Sequence, residues 1–134
     1  MVEQEIGELV NEVRIRGRVS GAPRHKQLPS GDEVVSIRVV VPRPEGARVG
    51  GSGKSVSVDT FECVAWTRRP QSVMTRLSGD EHVLVTGALR RRFWRAGGAV
   101  ASMVEIEVAQ LKLIPAPPAK AAVPGRRRRE ASDA

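Results

Sequence analysis

Aromatic side chains are scarce in this 134-residue chain, which has two tryptophans, two phenylalanines and no tyrosine. Any stacking surface must therefore be built from very few platforms, and most of the core must be aliphatic. Cysteine is nearly absent as well. The single Cys63 forms neither an internal disulfide nor a thiolate metal cluster, so ordinary burial has to hold the fold together. No apolar run approaches the roughly 18 to 20 residues that span a bilayer, and the stretch Met1 to Glu8 carries three acids instead of a basic, apolar leader. The expectation is a soluble cytoplasmic protein without a membrane partner. His25 and His82 have no metal partners at ligand spacing, and no Ser/His/Asp or paired-carboxylate constellation is present, so neither catalysis nor a metal or cofactor is expected. Gly53-Lys54-Ser55 fails as a phosphate loop. Arg48 stands where that loop needs glycine, and a strand begins at Val56 where a helix should follow.

Positive charge, by contrast, is plentiful. The net charge is +7; residues up to Ile114 hold 17 bases and 13 acids, and those after it hold 5 and 2, leaving +4 on the first part and +3 on the second. A polyanionic partner follows, because clustered cations release counterions when they meet phosphates. Most of these cations are arginine, which favours planar stacking and forked phosphate contacts, although a GC-rich coding bias gives the same imbalance.

Alternation dominates the first 114 residues. Val13, Ile15, Gly17 and Val19 share one face of a strand whose other face carries Arg14, Arg16 and Arg18. Gly21-Ala22-Pro23 is read as its end, Pro29-Ser30-Gly31-Asp32 as a turn, and the β-branched run Val34 to Val41 as a second strand. A basic, Gly-rich loop from Arg43 to Lys54 leads to a third strand over Val56 to Trp66. There Phe61, Cys63 and Ala65 face the core, opposite Thr60, Glu62, Val64 and Trp66. Helical spacing of Val73, Met74 and Leu77 predicts a short helix closed by Ser78-Gly79-Asp80. A fourth strand runs from His82 into Phe93, with Trp94 continuing its polar face. Gly97-Gly98 is a hairpin turn, and Ala99 to Ile114 is a fifth strand. Phe61 and Phe93 have the opposite parity from the tryptophans and are expected in the core.

The order β-β-β-α-β-β predicts an all-β, five-stranded OB-fold Greek-key barrel over residues 1–114, with one short helix between strands three and four. Other Greek-key barrels share parts of this pattern. Pro, Ala and Arg without periodicity predict a disordered tail over 115–134.

Asn11 to Val19, Pro29-Ser30-Gly31, Cys63-Val64-Ala65-Trp66, Gly87-Ala88-Leu89-Arg90 and Val104-Glu105-Ile106 together resemble the bacterial single-stranded DNA-binding protein family. The resemblance spans about residues 11 to 114. It implies a homotetramer that binds single-stranded DNA without sequence preference in replication, repair or recombination, associated with the nucleoid. Trp66 and Trp94 match two of the family's base-stacking positions. Two others, near Arg43-Pro44 and at Thr60, are not aromatic here. Arg90 and Arg92 beside Trp94, Arg68 after Trp66, and Arg43, Arg48 and Lys54 in the loop are the expected phosphate contacts. Typical members end in an acidic segment that recruits partner enzymes. This chain carries Arg126 to Arg129 and ends Ser132-Asp133-Ala134, which argues against recruitment by that route and for a specialised paralogue. The missing aromatics leave a second reading open, an OB-fold module that docks a replication or recombination protein and meets nucleic acid only incidentally. RNA binding by the same face is a third.

Overall fold

The computed structural model describes residues 8–45 and 56–118. Five strands, β1 (Val13–Gln27), β2 (Glu33–Pro42), β3 (Val58–Ala65), β4 (His82–Ala96) and β5 (Ala99–Ile114), form a closed barrel in the order β1-β2-β3-β5-β4. Helix α1 (Arg68–Met74) follows β3. This is the all-β barrel with a single intervening helix that the alternating pattern predicts. Arg48, Lys54 and Arg126 to Arg129 lie outside the described residues, as does most of the expected tail.

One expectation is corrected at Gly21-Ala22-Pro23, where β1 bends and does not end. Val13 to Arg18 pair with β4 (Val13↔Gly87 to Arg18↔His82), and β2 pairs with Arg18 to Ser20 (Arg18↔Val40 to Ser20↔Arg38) and, past a register shift between Ser20 and Arg24, with the second half of β1 (Arg24↔Ser36 to Gln27↔Glu33). Gly21 sits at φ +83°, a conformation nearly free only for glycine, and Pro23 has no N–H to give to a ladder. The signals that read as a break therefore let one strand serve both halves of the barrel. At its N-terminal end, Asn11 extends the β1–β4 ladder through its side chain. Its Nδ2 donates to the Leu89 carbonyl (2.9 Å), and Leu89 N–H donates to Oδ1 (2.8 Å).

The core is aliphatic, as the shortage of aromatics requires. Val19, Val35, Ile37, Val39, Cys63, Ala65, Val83, Val85, Ile106 and Val108 fill the barrel, Met74 and Leu77 plug one end, and Phe61 packs against it half-buried. Burial and the nearby Glu62 charge push the Cys63 thiol up to about 12, so this cysteine is an inert packing element. Phe93 does not join the core; it is 64% exposed. β4 and β5 pair all the way to Ala96↔Ala99, and their hairpin outruns the barrel, so core parity has no core to point into there.

Closure also depends on strand approach at Gly87. A β-carbon there would overlap the Glu107 carbonyl, which is backbone and has little room to move, beside the bulge where β5 shifts register. Gly87→Ala is expected to lower stability in urea unfolding by about 3 kcal/mol, the upper end of ordinary overpacking costs. A cost near zero would mean that the bulge absorbs the methyl group.

Candidate nucleic-acid interface

The bend in β1 and the overhang of β4 and β5 place two hairpins on either side of the outer face of β2 and β3. Between them lies a cleft of about 470 Å³. Arg24, His25 and Lys26 come from the β1 side, Arg38 from β2, and Arg92 and Met103 from the β4–β5 side, over a floor of Val34, Ser36 and Val64. The strand register explains the composition: Arg24 stands beside Ser36 and Ser36 beside Val64, so cations rim small or branched residues. A wall of arginines over such a floor leaves room for a flat base or a sugar-phosphate chain.

Three carboxylates sit among these cations. Glu62 pairs with Arg24 and with Arg38 (3.6 Å), Glu105 with Arg92 (3.7 Å) and Glu107 with Arg90 (2.6 Å). The parity of β3 puts Glu62 on the face of Trp66, where an unpaired acid would repel phosphate. Its two guanidinium partners resolve that conflict. Arg38 and Arg90 make these contacts through Nε, which leaves their terminal nitrogens as donors for an incoming phosphate. The carboxylates thus hold Arg38 and Arg90 in place without using up their fork, whereas Arg24 and Arg92 each commit one terminal nitrogen. Lys26 and Arg68 have no carboxylate partner among the described residues, so their charge is fully available.

Both tryptophans are partly exposed, and neither lines the cleft itself. Trp66 follows Val64 by two residues and is 39% exposed; Trp94 follows Arg92 by two and is 45% exposed. Trp94 lies about 7 Å along β4 from Arg92, and Trp66 stands just past the end of β3. Arg68 lines a smaller neighbouring depression of about 340 Å³ with Gln71, Ser72 and Thr75, and His25 borders both hollows. Arg92 and Arg90 thus sit on the cleft side, and Arg68 extends the path past helix α1. Arg43 lies farther off, at the end of β2, where its Nε (3.0 Å) and Nη2 (2.8 Å) both donate to Asp59. Arg24, His25, Lys26 and Arg38 were missing from the sequence-derived set. Their signal was weak, because Arg24 to Lys26 follow the apparent break in β1 and a lone Arg38 in a β-branched run reads as an ordinary solvated position.

Glu105 is the buried member of the set, with its side chain 4% exposed. Burial raises its carboxyl above the usual range, Arg92 pulls it down, and the charge of Glu62 pushes it up. Glu81 moves the other way, lowered chiefly by the Ser78 N–H it accepts (2.8 Å), with a further bond from Gly79 N–H. The signs separate the two. The folded state holds the Glu105 proton where the unfolded chain has lost it, so this component of stability falls as pH rises above the ordinary carboxylate range. The Glu81 component is present above that range and is lost as pH falls through it. Glu105→Gln is therefore expected to gain stability relative to the parent as pH rises from acid to neutral in urea unfolding. A pH-independent difference would show that Glu105 ionises normally.

A closed five-stranded barrel, with a helix after β3 and a basic groove on the β2–β3 face, defines an OB-fold protein built for nucleic acid. The family is more specific. Residues 10–114 match the model of the Single-strand binding protein family, and the chain belongs to that family. One similar solved structure is described as "Plasmodium falciparum SSB complex with ssDNA", at TM-score 0.65 and 21% identity, covering 81% of this chain and 97% of that one. That likeness shows a shared fold. No curated protein sequence matches.

Proposed function

We propose that the protein binds single-stranded DNA along the cleft between its two hairpins, with Trp66 and Trp94 stacking bases and Arg24, Arg38, Arg68, Arg90 and Arg92 meeting phosphates. The observation that carries this reading is a groove walled by arginines that are held in place yet keep free donors, and two partly exposed tryptophans each two residues on from a residue that lines it support the stacking. A single strand presents π-faces and phosphates together, and this is the matching surface. The role is to coat and protect strands in replication, repair or recombination, as a cytoplasmic, nucleoid-associated protein that binds and does not catalyse. No helix among the described residues is long and apolar enough to cross a membrane.

Self-association belongs to the same proposal. The reverse face of the β4–β5 hairpin exposes Leu89, Phe93, Val100 and Val104, at 45, 64, 63 and 43%. A second copy covering this strip would bury it, and a homotetramer would join several modest sites on one strand and raise the effective concentration at each later contact. A division of labour between residues 1–114 for binding and 115–134 as a basic tail completes the proposal.

Titration with oligo(dT) should quench tryptophan fluorescence saturably and still do so at moderate salt. Trp66→Ala and Trp94→Ala should each weaken binding by about 1 to 3 kcal/mol at fixed salt. Unchanged affinity in both variants would remove the stacking site. Deleting Arg126 to Arg129 separates the rival module reading. The barrel should retain quenching and most of its affinity, whereas binding that vanishes with those arginines would mean that the barrel docks proteins and the tail alone meets nucleic acid.

A further inference from the structure

From Arg24 to Gln27, β1 pairs with β2 alone, so this arm of the strand has two faces and one open edge. Alternation divides its residues between the faces. Arg24 and Lys26 stand with Val34 and Ser36 over the cleft, whereas His25, Glu33 and Val35 share the opposite face, the one turned toward α1. A hollow of about 340 Å³ opens there between the arm and the helix, with Val35 at its base. Ligand pockets begin at about 300 Å³, so the hollow has room for one planar group and its linkage, and not for a length of chain. Its shape is fixed by Gln71. Both hydrogens of Gln71 Nε2 go to main-chain carbonyls, of Glu33 (2.8 Å) and Ala65 (3.0 Å), which ties α1 to the start of β2 and the end of β3. Around this tie the polar groups are unused. The side chains of His25, Glu33 and Arg68, and Gln71 Oε1, have no hydrogen-bond or ion-pair partner among the described residues.

We propose that this hollow is a base-reading subsite for one nucleotide of the bound strand, and that it favours guanine. The inference rests on the single-stranded DNA binding proposed above and adds a specificity to it. His25 lines both the cleft and the hollow, so a strand leaving the cleft over the open edge of the arm meets its ring first, and imidazole is one of the flat groups on which unpaired bases stack. Arg68 lies beyond it on α1 and meets the phosphate. Glu33 then faces the edge of the base. A carboxylate offers two acceptor oxygens and no donor, and Gln71 Oε1 adds a third acceptor. Guanine alone among the four bases presents two adjacent N–H donors, N1–H and the 2-amino group, on its Watson–Crick edge. Adenine and cytosine set their amino group beside a ring-nitrogen acceptor, and thymine sets one N–H between two carbonyls, so each of them turns an acceptor toward acceptors. One position of this kind leaves the rest of the strand unread, and the protein still coats DNA of any sequence.

The test uses the full chain and labelled strands of about 16 nucleotides, the upper span of one OB-fold site, with Kd measured by fluorescence anisotropy at fixed salt. A single central guanine in oligo(dT) should tighten binding by about tenfold, the size of one bidentate base contact. Adenine or cytosine at that place should not. Inosine, which keeps N1–H and lacks the 2-amino group, should lose most of the gain. Glu33→Gln should lose the guanine gain as well, while its main-chain carbonyl still accepts from Gln71. The gain is a ratio taken within each variant, so a change in overall affinity does not imitate it. Equal Kd for plain and guanine-containing strands in the parent would overturn the inference, as would a gain that survives in Glu33→Gln or is matched by inosine. Failure of the parent to bind oligo(dT) at all would overturn the single-stranded DNA reading, and this inference with it.

Discussion

Everything in this barrel depends on a single strand serving two sheets. β1 pairs with β4 until Arg18 and with β2 on both sides of a bend, at Arg18 to Ser20 and again from Arg24, and the bend falls where Gly21 adopts a positive φ and Pro23 withdraws a donor. Without that bend the second half of β1 would run off the barrel, and Arg24, His25 and Lys26 would have no groove to line. The same bend closes the core. Val19 is completely buried just before it, and its N–H and carbonyl bond the Glu81 carbonyl (2.8 Å) and Asp80 N–H (2.7 Å), tying the bend to the start of β4.

Function is distributed over this frame by charge pairing. On the β2–β3 side, acids and arginines alternate so that the carboxylates fix the direction of the guanidiniums, Arg38 and Arg90 through Nε and Arg24 and Arg92 through one terminal nitrogen. Exposed ion pairs of this kind add little to stability, a few tenths to about 1 kcal/mol each. Their value is positional: an arginine held by Nε presents its fork in a defined direction, and less side-chain freedom is lost when phosphate arrives. On the β1–β4–β5 side Arg18 is held by Asp80, whereas Arg14, Arg16 and Lys112 have no carboxylate partner among the described residues.

Much of this was legible in the sequence. Strand parity put Cys63 and Ala65 in the core and Glu62 and Trp66 outside, and both placements hold in the structure. The turn at Pro29 to Asp32, the helix from Arg68 and the extent of β5 were equally readable, because turn chemistry and hydrophobic period are local properties. What misled was also local. Gly-Ala-Pro carries the same signals whether a strand stops or bends, and only a partner strand distinguishes the two. Phe93 shows the complementary error, since its parity was right but β4 continues past the end of the core.

The sequence by itself determined the order of elements, the two faces of each strand and the placement of both tryptophans among arginines on outward positions. These follow from a side-chain period of two, which any strand imposes on its residues. Only the tertiary structure decided which outward faces share a surface. Arg24 meets Glu62 across 38 residues of sequence, and Arg90 meets Glu107 across 17. Such pairs arise from barrel closure, where register and bend fix distances that no local pattern encodes. The same closure brought Arg24 of β1 and Arg92 of β4 to one cleft, while Arg14 and Arg16 stand on another face beside β4.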